Sequence, residues 1–166
     1  MTINAARALK RSIDTARLHV PTIEEIEADD SATAEAGVIV LLSGIIGSVG
    51  SVLLGSGLGG FIGWTLATIA GWYVWAIVST KVARDLFEVP TTDKGEMLRV
   101  IGYGSAPRAL GLIPFFGLFA LLWTLAVVVT GIRQAGEMTR WQAVITAAIG
   151  LLPTLIAYVL ILALLG

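Results

Sequence analysis

Few residues in this chain can do chemistry, and one stands apart. Arg108 is a base set in a largely apolar stretch, with Tyr103 and Pro107 before it and Pro114 after it. A base at the centre of a membrane helix costs about 2.5–3.5 kcal/mol, so it normally faces a partner or a wet cavity. Its chemistry would be contact with an anion or a lipid headgroup. The plainer role is a side chain that snorkels to an interface, or bonds carbonyls freed near Pro114. The Tyr103 hydroxyl either bridges helices by a hydrogen bond or marks the membrane edge. Pro107 and Pro114 free backbone carbonyls, which either line a cavity or only bend the chain.

Other candidates are thinner. His19 is the one histidine and has no serine and acid arranged around it. Gly57-Leu-Gly-Gly60 has the glycines of a phosphate loop but not the lysine that must follow. Glu24, Glu25, Glu27 and Asp29 do not have the alternating acids and central glycine of a calcium loop. They read instead as the approach to a helix, where Asp30 or Ser31 can cap free backbone N–H groups. With no cysteine, thiolate and disulfide chemistry are absent. Four bases on one short helix are too small a footprint for nucleic acid. An enzyme is therefore not expected: no catalytic, metal or cofactor-binding residue is assigned, and no cofactor.

The elements that must position Arg108 and Tyr103 are set by hydropathy. Hydrophobic residues make up 56% of the chain and charged residues 14%, where soluble domains carry roughly a quarter charged. Residues 36–80, 109–132 and 141–166 hold no charged residue or histidine. About 20 apolar residues cross a bilayer core, so each tract is long enough to span and the first is long enough for two. A buried helix of a soluble protein would show a polar face, and these tracts show none. The fold class expected is all-α, a polytopic transmembrane bundle. Residues 1–35 are polar, so no cleaved signal peptide is expected, and they form a separate cytosolic segment ahead of a membrane unit over 36–166.

Within that segment Ala6, Leu9, Ile13, Ala16 and Val20 share one helical face, opposite Arg7, Lys10, Arg11, Asp14 and Arg17. Such a helix either lies on an anionic leaflet, each base adding about 1 kcal/mol, or is a solvated tail. Pro21 is expected to end it, and an acidic linker follows. In the first tract Gly55–Gly60 signals a turn between spans at about 36–54 and 59–80. Small residues recur every fourth position: Ser43, Gly47, Ser51 and Gly55 before the turn, Gly59, Gly63, Ala67 and Gly71 after it. Stripes of this kind let helices approach closely in lipid, so they are expected to serve packing within the chain, ahead of dimerisation or a pore lining. Trp72, Tyr73 and Trp75, near Lys81 and Arg84, suit an interfacial aromatic belt.

Hydropathy alone counts four spans; loop charge argues for five. With four, the loop holding Arg133 and Arg140 would face away from the one holding Lys81, Arg84, Lys94 and Arg99. With five, both basic loops face the cytosol, the N-terminus lies inside and the C-terminus outside. The extra span is 97–113, which reaches only roughly 25 Å as a helix and is short or re-entrant. The last two then run over 116–132 and 141–165.

The order Gly102-Tyr103, three residues, Pro107, then Ile113-Pro114 and the span carrying Leu121-Leu-Trp123-Thr and Gly131-Ile-Arg133 resembles the Yip1 domain family. So does Glu24-Glu-Ile-Glu-Ala-Asp-Asp-Ser-Ala-Thr33, which is similar to the entry to the first span in prokaryotic members. The resemblance covers about residues 20–166 and implies five spans with a cytosolic N-terminus. It marks Gly102, Tyr103, Pro107, Arg108 and Pro114 as the motif to watch. Eukaryotic relatives serve vesicle traffic and Rab-type GTPases; this short Ala/Gly-rich chain resembles the prokaryotic branch, so a Rab partner is not carried over. The expected role is a scaffold or adaptor in a prokaryotic plasma membrane, in contact with the bilayer and with other membrane proteins or itself. The alternative is a small transporter or channel built on the broken third helix and Arg108.

Overall fold

A computed structural model describes residues 4–165. The first three residues of the expected N-terminal segment and the last residue of the membrane unit lie outside it. The described residues form seven α-helices, one 3-10 segment and no strand. The helices are α1 (Ala5–Ala16), α2 (Val20–Ala28), α3 (Ala32–Leu53), α4 (Gly57–Asp85), α5 (Lys94–Gly104), α6 (Gly117–Ala135) and α7 (Arg140–Leu165). The 3-10 segment, Ala106–Leu112, lies between α5 and α6. Four helices are long and apolar enough to cross a membrane: α3, α4, α6 and α7.

Local chemistry explains the helix ends. The Asn4 side chain accepts from the Arg7 N–H at 3.1 Å and starts α1. Leu18, at φ 61°, takes the left-handed turn that separates α1 from α2. Pro21 does not terminate α1 as expected. It sits in the first turn of α2, where a missing N–H costs nothing, and the expected acidic linker is itself helical, with Ile23 and Ile26 buried. The Ser31 hydroxyl makes no cap to α3; it donates to Asp29 at 2.5 Å. Asp93 and Glu96 form a reciprocal capping box that starts α5.

The long helices alternate in direction. Ser48 on α3 meets Thr65 on α4 at 3.2 Å, and Gly37 meets Trp72, so the pair is antiparallel. On the other side of α4, Gly63 packs on Leu162, Gly71 on Tyr158 and Gly150 on Trp75, which makes α7 antiparallel to α4. α5 and the 3-10 segment run alongside α3 in the same direction. Gly102 abuts Ala36, Ser105 faces Ser43, and the carbonyls of Arg108 and Gly111 lie on Gly47 and Gly50. α6 then returns, with Val128 on Gly104 and Gly131 on Val100.

This path separates the bundle into two ends. One carries α1, α2, the start of α3, the end of α4, the start of α5 and the α6–α7 turn, and with them every charged residue except Arg108. The other has the Gly55 and Pro114 turns and the end of α7, and no charged side chain among the described residues. The core lies toward the charged end, around Trp75, Met97, Val100, Ile101, Val128 and Ile132. Trp75 is fully buried rather than part of an aromatic belt, because its indole donates to the Ala147 carbonyl on α7 at 3.1 Å.

The tightest approach is at Gly50, where a Cβ would overlap the Gly111 carbonyl oxygen, a backbone atom that cannot rotate away. Gly50→Ala should therefore lower stability by about 1–3 kcal/mol, read as the thermal midpoint in detergent. Gly37→Ala, whose Cβ would sit 3.6 Å from the Trp72 ring in ordinary contact, should be close to neutral.

Candidate functional site

The broken third element carries two side chains that serve opposite purposes. Tyr103, near the end of α5, is fully buried, and its hydroxyl donates to Glu35 Oε2 at 2.6 Å. Of the two roles open to it, the structure shows the bridge between helices. Glu35 stands in the first turn of α3 and is only 1% exposed. Its other oxygen accepts from Arg7 Nη2 at 2.5 Å, and Arg11 Nη1 lies 3.3 Å from Oε2. Arg11 also pairs with Asp29 at 2.8 Å and with Glu25 at 2.6 Å. One guanidinium thus ties α1 to α2, to the α2–α3 turn and to α3.

Further bonds close the same end. Arg99, buried on α5, donates to the Glu27 carbonyl and pairs with Asp30 at 2.9 Å. The Trp123 indole on α6 donates to the Ala16 carbonyl, 2.8 Å away, and the Trp72 indole donates to the Leu98 carbonyl at the same distance. α1 consequently turns Arg11, Ser12 and Thr15 inward and leaves Leu9 and Ile13 exposed. Burial alone would pull the Arg11 guanidinium down, but hydrogen bonds to Glu25 and Asp29 hold it above its usual value. Hydrogen bonds from Ser31, then Arg11, hold the Asp29 carboxyl below the usual range.

Arg108 points away from this clamp. Its Nη1 donates to the Tyr158 hydroxyl on α7 at 2.9 Å, and that hydroxyl donates onward to Thr68 on α4, also at 2.9 Å. The guanidinium lies over the rings of Tyr158 and Trp75, 5.8 and 6.0 Å from their centroids. No carboxylate pairs with it among the described residues. Arg108 lines a cavity of about 650 Å³ whose walls come from α3, α4, α6, α7 and the Pro114 turn.

The other expected positions have separate places. Gly102 lets α5 lie directly on α3, since a Cβ there would come 2.7 Å from that of Ala36. Pro107 is buried in the first turn of the 3-10 segment, and Pro114 is a cavity wall. The two small-residue stripes do not face each other. Ser43 and Gly47 receive the 3-10 segment, Ser51 lines the cavity and Gly55 forms the turn at φ 94°. On α4, Gly63 and Gly71 receive α7, Ala67 is buried and Gly59 is half-buried. Glu35, Arg7, Arg11, Tyr158 and Thr68 were not singled out as site residues from sequence. The available signals were an acid at the very edge of an apolar tract and two arginines one helical turn apart.

Removing Glu35 leaves two arginines and a phenol without their shared acceptor, and breaking a buried ion pair costs about 3–5 kcal/mol. Glu35→Ala should release α1, read as faster proteolytic cleavage after Arg11 and Arg17. The Asp29 pairing has a defined pH window. Its depressed folded pKa means that its contribution is complete above the unfolded value of about 3.9 and is lost as pH falls through the folded value. Protection of α1 should hold at about pH 5 and fall only in stronger acid, and Asp29→Asn should remove the Asp29-dependent part of that transition.

The description of a known family fits this chain: the Yip1 domain model matches residues 20–164. No curated protein matches, and no solved structure does. The matched span runs from the first residue of α2 to the last turn of α7 and takes in the four apolar helices and the Tyr103–Arg108 element between them. The chain belongs to the Yip1 domain family, and is an integral membrane protein whose apolar helices contact the bilayer.

Proposed function

We propose that this Yip1 domain protein is a non-enzymatic membrane scaffold or adaptor, with α1 and α2 as a fixed cytosolic platform for other membrane proteins or a second copy. The observation that carries this reading is the clamp on Glu35. Two arginines and a buried phenol hold the platform to the bundle. Glu25 and Asp30 meanwhile keep outward-facing carboxylates, with side chains 59% and 98% exposed. A segment held this firmly is pre-organised, which lowers the ordering cost of binding a partner.

The cavity bears on the transporter alternative. Its wall residues extend from Arg108 toward the uncharged end, while the interior toward the charged end is filled by Trp75, Met97, Val100 and Ile101. A path through the protein would need both halves open.

The topology we favour has five crossings, the third made by α5 together with the 3-10 segment. At ~1.5 and ~2 Å per residue these two pieces reach roughly 30 Å, enough for the hydrocarbon core. The charged end faces the cytosol because it holds every base but Arg108. The N-terminus is then inside a prokaryotic plasma membrane and the C-terminus outside. A division near residue 35, cytosolic platform before and membrane unit after, belongs to the same proposal. Neither nucleic acid nor a Rab-type GTPase is among the partners proposed.

A C-terminal reporter that works only outside the cytosol should be active, and one that works only in the cytosol should be silent; the reverse result removes the fifth crossing. In affinity capture from gently solubilised membranes, recurring partners should be retained by Arg108→Leu and lost with Glu35→Ala. Absence of recurring partners, or equal recovery with Glu35→Ala, would sink the platform reading.

A further inference from the structure

The Arg108 cavity is independent of the platform and carries its own chemistry. Arg108 is half-buried, and its guanidinium gives one hydrogen bond, to a neutral phenol. Of the five N–H donors of an arginine, the remainder have no protein acceptor among the described residues. Tyr158, its partner, also packs on Gly71, the middle residue of α4, so the charge sits deep in the bundle. A cation held there without a carboxylate calls for an anion from elsewhere.

The walls indicate what kind of anion. Leu118 on α6 and Leu155 and Val159 on α7 line the cavity and are also 69%, 43% and 67% exposed. A wall that is at once interior and surface is a mouth, and this one is apolar and set on two helices that meet the hydrocarbon. The polar groups lie inside: Ser43, Ser48, Thr68, Tyr158 and Arg108. A volume of about 650 Å³ is in the ordinary range for a ligand pocket.

We propose that the cavity is a lateral binding site for an acyl-chain lipid of net negative charge, carried on a carboxylate or a phosphate, with the oxyanion on the free N–H groups of Arg108 and the chain passing between α6 and α7. Guanidinium suits either oxyanion by paired N–H donors. The Tyr158 hydroxyl already gives its hydrogen to Thr68 and accepts from Arg108, so the Arg108 N–H groups without a protein acceptor carry the contact.

The test is native mass spectrometry of the full chain released from nanodiscs. One set contains phosphatidylcholine alone, a second adds phosphatidylglycerol, and a third adds oleate. Wild type should retain phosphatidylglycerol or oleate in preference to phosphatidylcholine, and which of the two is held identifies the headgroup. Arg108→Gln should reduce that retention about tenfold, the scale of one charge-assisted contact. Arg108→Lys should keep most of it. Leu155→Trp, which fills the mouth and leaves the charge alone, should also reduce retention, and it keeps the test valid if Arg108→Gln misfolds. Equal retention of neutral and anionic lipid, or retention unchanged in both Arg108→Gln and Leu155→Trp, overturns the site. Displacement of the lipid by inorganic phosphate as readily as by oleate overturns the acyl-chain requirement.

Discussion

A carboxylate at the entrance of a membrane helix is tolerable only where donors meet its charge and its lone pairs. Glu35 has three such donors, from Arg7 and Arg11 on α1 and from Tyr103 on α5. All three partners lie far from Glu35 in the chain, so satisfying this one side chain requires α1, α3 and α5 to converge at one end. The position of α1 follows, and with it the burial of Arg11. The α2–α3 turn is drawn in too, because the Arg11 Nη1 that lies 3.3 Å from Glu35 is also 2.8 Å from Asp29.

At the opposite end of α5 the constraint is backbone rather than charge. The 3-10 segment spends hydrogen-bonding capacity that a regular helix would use internally, and irregular backbone at membrane depth is tolerated only when protein covers it. Gly47 and Gly50 provide the cover by letting carbonyls of the segment lie on α3. The segment changes course after Gly111, through Pro114 and Phe115, the latter at φ 71°. One side of the break packs on α3; the other opens on the Arg108 cavity.

Much of the fold was legible because charge-free tracts leave few choices. The four apolar helices are marked by hydropathy, and the weak third element by its Gly102–Pro107 order and by the placement of basic loops. Partner choice was not legible. A stripe such as Ser43 and Gly47 defines a face of a helix, not the neighbour that fills it, and the 3-10 segment fills this one in place of α4. Trp75 has the composition of a belt residue, yet the Ala147 carbonyl draws it into the core. Glu35 closed a run of acids that read as a helix approach, and nothing local separates a capping acid from a buried one. Of the candidate site, Tyr103 and Arg108 could be named in advance; the residues that give each its meaning, Glu35 and Tyr158, depend on contacts across 68 and 50 positions.

Those separations also impose an order on assembly. Arg7 and Arg11 precede Glu35 by 28 and 24 residues, whereas Tyr103 follows it by 68. A chain made from its N-terminus therefore presents both guanidinium groups before the carboxylate itself is made. The phenol is made later, and its hydroxyl adds a third partner to the same carboxylate. Glu35 is thus the meeting point of an early, short-range pairing and a late, long-range one, both resting on a single carboxyl group.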